Sequence, residues 1–162
     1  MLSKQIEPIV SKWLYIGVPA VSLLVTGFAN YDPVNVAKMV ATAGIGFSIW
    51  ALLLKNGIGK LWANQKPLTV ALGIFMVWGI VSTFASDAPL EQNLYGVFGR
   101  NTGLITYLGL AGILAGASAL TNLDGFSKIT KALIFAGLVN VFICALELAG
   151  FNIFGFNNIY KT

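Results

Sequence analysis

The sequence predicts an all-α fold, a polytopic transmembrane helical bundle of about five spans with the N-terminus inside. Three observations carry this prediction. Of 162 residues, 57% are hydrophobic and only 10% are charged, whereas soluble domains average about 25% charged. Mean hydropathy is +0.80. Five stretches are apolar over the roughly 17–25 residues that a bilayer crossing needs. Ten cationic and six acidic side chains cannot wet the surface of a water-exposed domain, which excludes a soluble or disordered chain. The net charge of +4 is no nucleic-acid footprint, because the cations are dispersed without a basic patch, so no nucleic-acid partner is expected.

The first span covers 13–29, from Trp13 to Ala29, and is closed by Asn30, Tyr31 and Asp32. It outruns the apolar core of a signal peptide, and Phe28-Ala29-Asn30 is a poor cleavage site, so the span is retained. The second covers 33–54, with Asp32 as N-cap and Pro33 at the first helical position, and ends before Lys55. The third, 67–85, again starts on a proline, Pro67. The fourth covers 102–120 and the fifth 129–149, and all five form one transmembrane domain over 1–162. Between the second and third spans, Ile58, Leu61 and Trp62 at i, i+3, i+4 predict a short helix on the inner membrane surface. Gly57-Ile58-Gly59-Lys60 lacks the spacing of a phosphate loop.

Orientation follows from the cations near span ends. Lys4, Lys12, Lys55, Lys60, Lys66, Lys128 and Lys131 fall on one side, and Lys38, Arg100 and Lys161 on the other. The first side is therefore cytoplasmic. Trp13, Tyr15, Trp50 and Trp62 read as anchors at the inner interface, and Tyr31, Tyr95 and Tyr160 at the outer one. Small residues mark packing faces: Gly112-xxx-Gly116 beside Ala111-xxx-Ala115-xxx-Ala119 in the fourth span, and Gly44-xxx-Ser48 in the second. Packing within the chain is the expected use of these faces.

Chemistry is narrowly bounded. A single Cys144 excludes an intrachain disulfide, and the absence of histidine removes the commonest general base and metal ligand, so no metal site or cofactor is expected. The chain's one arginine, Arg100, stands before a helix start between Gly99 and Gly103. A guanidinium beside helix-end N–H groups suits an anion such as a phosphate or pyrophosphate. The alternative is an interfacial arginine that holds lipid headgroups or caps the loop. In the fifth span, Asn140, Cys144 and Glu147 share a helix face. An intramembrane carboxylate is a functional candidate, with Arg100 as its natural partner, or half of a structural Arg–Glu clasp. Lys38, in the first turns of the second span, either snorkels or joins Arg100 in a cationic rim for an anionic lipid-linked substrate.

Three stretches resemble the O-antigen ligase/polymerase family of membrane glycosyltransferases. Asn30-Tyr-Asp-Pro-Val-Asn-Val-Ala-Lys38 is similar to the family's entry into its second helix, although Ala37 stands where proline is common. Ser82-Thr-Phe-Ala-Ser-Asp-Ala-Pro89 with Leu94-Tyr-Gly-Val-Phe-Gly-Arg100-Asn-Thr-Gly-Leu-Ile-Thr-Tyr107 resembles its outer loop, Ser…Pro…Gly…Gly-Arg-x-x-Gly…Tyr. Leu138 to Gly155 resembles the run into its next block, with Glu147 where glutamine is frequent. The resemblance implies transfer of a glycan from an undecaprenyl-diphosphate carrier at the periplasmic face of the bacterial inner membrane. Arg100 and Lys38 would hold the diphosphate, supported by Glu147, Asn140, Gly99, Gly103 and Tyr107. The family's catalytic periplasmic loop carries a histidine, and this chain has none, so the expectation is the N-terminal membrane portion of such a protein. Its partners would be the lipid-linked glycan, the bilayer, and a C-terminal half or a membrane partner. Two other readings stay open: a non-catalytic membrane subunit or lipid-binding scaffold, and a transporter element using Glu147.

Overall fold

A computed structural model describes residues 7–25, 34–56, 58–97, 99–121 and 123–151, and among them regular structure is helical throughout. Three helices are long and apolar enough to cross a membrane, and a fourth apolar helix is shorter. This is an all-α membrane protein.

The first span is helical from Glu7, six residues before the expected start at Trp13. It runs as α1 (Glu7–Lys12), a π-helical turn (Trp13–Gly17) and α2 (Val18–Leu23). Pro19 explains the widened turn. It has no N–H to give the carbonyl four residues back, and its ring crowds the preceding turn. The expected end of this span at Ala29, the Asp32–Pro33 cap and the anchors Tyr31 and Tyr160 lie outside the described residues.

The second span is α3 (Asn35–Asn56), followed by α4 (Ile58–Asn64), the anticipated short surface helix. On α4, Leu61 is buried while Ile58 and Trp62 are exposed, and Lys66 Nζ sits 5.7 Å from the Trp62 ring centre. The third span is α5 (Lys66–Ala85), starting one residue before the expected Pro67. A six-residue helix, α6 (Leu90–Tyr95), then interrupts the loop between the third and fourth spans. The fourth span, α7 (Leu104–Ser118), is shorter than the expected 102–120. The fifth, α8 (Leu123–Leu148), begins six residues before Ile129, which puts Lys128 inside the helix together with Lys131.

The centre of the bundle is α3 against α7, the most extensive packing between any two elements. Gly46 faces Gly109 so closely that a Cβ on Gly46 would collide with the Gly109 carbonyl. A Cβ on Gly116 would stand 2.6 Å from Ile49 Cγ2, and one on Gly112 would stand 2.7 Å from Trp50 Cδ1. Gly112 therefore makes room for the indole, whose Nε1–H donates to the Leu108 carbonyl at 3.1 Å. Trp50 thus corrects its expected role: it clasps two helices instead of anchoring at an interface. The expected face Gly44-xxx-Ser48 is also corrected. Gly44 is exposed with open space beside it, and Ser48 Oγ donates to its carbonyl at 2.7 Å. The seam instead uses Thr42, Gly46, Ile49 and Leu53, all buried at heptad spacing.

Helix α8 packs along α1, the π-turn and α2. Its stripe is Gly125, Ile129, Ala132, Ala136, Val139, Ile143 and Leu146, alternating steps of four and three, all buried or half-buried. The Glu7 carboxylate fastens the start of α8 by accepting the Thr121 N–H at 2.8 Å and its hydroxyl at 3.0 Å.

Candidate functional site

The outer-loop residues singled out by sequence gather at one end of the α3–α7 seam. After α6 the chain turns through three left-handed residues, Gly96 (φ 89°), Gly99 (φ 84°) and Asn101 (φ 50°). Glycine takes this conformation freely and asparagine is the side chain that tolerates it best. The turn is pinned by its own backbone: the N–H groups of Arg100 and Asn101 both donate to the Val97 carbonyl at 3.0 Å. Thr106 Oγ1 donates to the Asn101 carbonyl at 2.8 Å.

The two glycines around Arg100 do different things. A Cβ on Gly103 would collide with the Leu94 carbonyl and the Gly96 nitrogen, so Gly103 lets the loop close on the end of α6. Gly99 has open space beside it and is required for its positive φ. Its carbonyl accepts a hydrogen bond from Asn35 Nδ2 at 2.8 Å. That bond joins the first turn of α3 to the residue before Arg100. Lys38 follows Asn35 by three positions, on the same face of α3, and is half-buried. Lys38 and Arg100 are therefore carried by segments that touch. Arg100 itself is exposed, and Gly103 caps α7 without any side-chain hydrogen bond to the first-turn N–H groups. An exposed cation in the loop that leads into a helix start is suited to an anion.

Tyr107 stands one turn into α7, exposed, with its ring edge-on to Phe75 of α5 at 6.2 Å between centroids. Asn140 is half-buried beside the α8 packing stripe, whereas Cys144 and Glu147 are exposed off it. Glu147 is not brought to Arg100. The reason is that α8 lies along the first span, while Arg100 sits on the α6–α7 loop held to α3. The expected Arg–Glu clasp is thus absent.

Sequence reasoning missed Asn101. It is 9% exposed, and its Oδ1 is buried without a hydrogen-bond partner. An unsatisfied buried acceptor is uncommon and costs about 1–3 kcal/mol, so it marks a place where a donor is wanted. An asparagine flanked two residues away on either side by Gly99 and Gly103 was the available signal. No protein-family model matches the chain, and neither a curated protein nor a solved structure is significantly similar to it.

Proposed function

We propose that this chain is the N-terminal membrane portion of an O-antigen ligase-like protein of the bacterial inner membrane. Its α6–α7 loop and the start of α3 hold the diphosphate of an undecaprenyl-diphosphate-linked glycan at the periplasmic face. Arg100 offers a planar fork of donors to two phosphate oxygens, and the Lys38 ammonium supplies a second positive charge. When the glycosyl–oxygen bond breaks, negative charge grows on the departing diphosphate, and fixed cations stabilise it there. The Arg100 loop is suited to such a role because its three left-handed residues hold the guanidinium's backbone in one place.

The observation that carries the reading is the Asn35 Nδ2–Gly99 hydrogen bond, which supports placing Lys38 and Arg100 around one ligand. The test is the affinity of the chain, in nanodiscs, for an undecaprenyl-diphosphate analogue. Arg100→Ala is expected to weaken binding about tenfold or more, the loss of a charge-assisted hydrogen bond. Unaltered affinity would reduce Arg100 to an interfacial anchor and remove the reading.

A further inference from the structure

The apolar run of α8 extends from Ala132, just after Lys131, to Phe151, roughly the 20 residues that a bilayer crossing needs. Two side chains interrupt it. Asn140 stands near the middle of the run, and Glu147 lies about 10 Å of helix further on. Asn140 is half-buried, Glu147 is exposed, and neither has a hydrogen-bond or ion-pair partner among the described residues. Only 6% of the apolar window of this helix is buried, so in a membrane its exposed side chains meet acyl chains, not water. Acyl chains offer neither donor nor acceptor. An amide at mid-depth is then left unsatisfied and a carboxylate uncompensated.

Both groups lie on one face. Thr130, Leu133, Gly137, Asn140, Cys144 and Glu147 follow one another in alternating steps of three and four. Each is one residue beyond a member of the stripe that packs on the first span, so this second stripe lies about 100° round the helix from it. Gly137, at its centre, has open space where a side chain would stand. Large apolar residues are kept to the far side, where Phe135, Leu138 and Phe142 face outward. Helices in a membrane meet through small residues that admit a close backbone and through polar side chains that bond across the contact. The second stripe has both, and no element of the chain covers it.

We infer that this face of α8 docks a further transmembrane helix, one that brings a side-chain amide or hydroxyl to Asn140 and a lysine or arginine to Glu147. Charge decides the occupant. Glu147 calls for a cation, because a carboxylate within the apolar run is stabilised by pairing. A second copy of this chain, related by a two-fold axis along the membrane normal, would instead set a second Glu147 opposite the first, so the face is not self-complementary. A lipid acyl chain satisfies neither group. The inference does not rest on the diphosphate reading.

Cys144, the chain's one cysteine, lies between the two groups and serves as the reporter. The full chain is placed in phosphatidylcholine vesicles with a synthetic transmembrane peptide of leucine and alanine. The peptide carries a glutamine at mid-depth, an arginine spaced from it as Glu147 is from Asn140, and a cysteine between them. After oxidation with copper phenanthroline, disulfide-linked product is read on a non-reducing gel. Linkage is expected to exceed that of a peptide with leucine in place of glutamine and arginine about tenfold, the scale of one hydrogen bond and one charge-assisted pair. Glutamate in place of the arginine should remove most of that gain. Asn140→Leu in the chain is expected to lower linkage about threefold. Moving the thiol to the far side, by Cys144→Ser with Phe142→Cys, should reduce it to the level of the leucine peptide. Arg100→Ala should leave it unchanged, so failure of the diphosphate reading is seen separately. Equal linkage of all three peptides would overturn the inference. So would a Cys144–Cys144 dimer of the chain that excess peptide does not displace, which would assign the face to a second copy. The peptide series is read on the unaltered chain and decides alone if a variant does not fold.

Discussion

Helices α3 and α8 are both long, apolar and able to cross a bilayer, yet the protein uses them in opposite ways. Of the apolar window of α3, 39% is buried inside the molecule, against 6% for α8. Composition does not separate them. What separates them is where the small residues stand. Along α3, Gly46 meets Gly109 and Gly112 backbone to backbone, and two helices in a membrane associate by such close contact rather than by hydrophobicity. Along α8, Gly137 has open space beside it, and only the narrow stripe through Ala136 is covered. Phe135, Leu138, Val141 and Phe142 all face outward. In a bilayer, such a surface is as well solvated by acyl chains as by protein.

The contrast can be broken most forcefully at Gly46. Gly46→Leu drives a side chain into the Gly109 carbonyl and is expected to cost more than about 3 kcal/mol, enough to part α3 from α7. Gly44→Leu, two residues away on the open face, should stay within about 0.5 kcal/mol. Denaturant-induced unfolding in detergent, followed by circular dichroism, measures both; equal effects would mean that the seam is misplaced. A smaller effect tests the α8 stripe. Ala136→Phe overfills a site that is 2% exposed and is expected to cost about 2 kcal/mol, whereas Phe142→Ala on the outer face should be nearly silent. Smaller still is Trp50→Phe, which keeps a six-membered aromatic ring but removes the five-membered ring of the indole together with its hydrogen bond to Leu108. Interhelical bonds of this kind average about 0.6 kcal/mol, and a shift well above 1.7 kcal/mol would show that the indole does more than clasp.

The three long apolar helices α3, α5 and α8 were legible because length and continuous hydropathy set them, and α5 starts within one residue of its reading from Pro67. The register was not. Gly44 and Gly46 stand two apart, on different faces of one helix, and the choice between them needs the partner. Read together with Thr42, Ile49 and Leu53, the heptad through Gly46 was present in the sequence, but nothing local says that this stripe outranks the one through Gly44 and Ser48. Trp50 misled for a similar reason. An indole near a span end looks like an anchor until Gly112 is seen opposite it. At the site, Arg100, Gly99 and Gly103 were visible as a motif. Asn101 was hidden because its significance, a buried acceptor with no donor, exists only in the folded loop. The expected pairing of Glu147 with Arg100 did not form, because helical periodicity places Glu147 with Asn140 and Cys144 but does not say which helices α8 packs against.

The central claim is that α3 positions the Arg100 loop, through Asn35, for an anionic lipid-linked ligand. A double-mutant cycle on Asn35→Ala and Arg100→Ala tests it directly, with affinity for the undecaprenyl-diphosphate analogue as the readout. If the Asn35–Gly99 bond places Arg100, Asn35→Ala weakens binding only while Arg100 is present, and the two changes couple by about 1 kcal/mol. Strict additivity, or a ligand that binds equally well to all four proteins, would contradict the account.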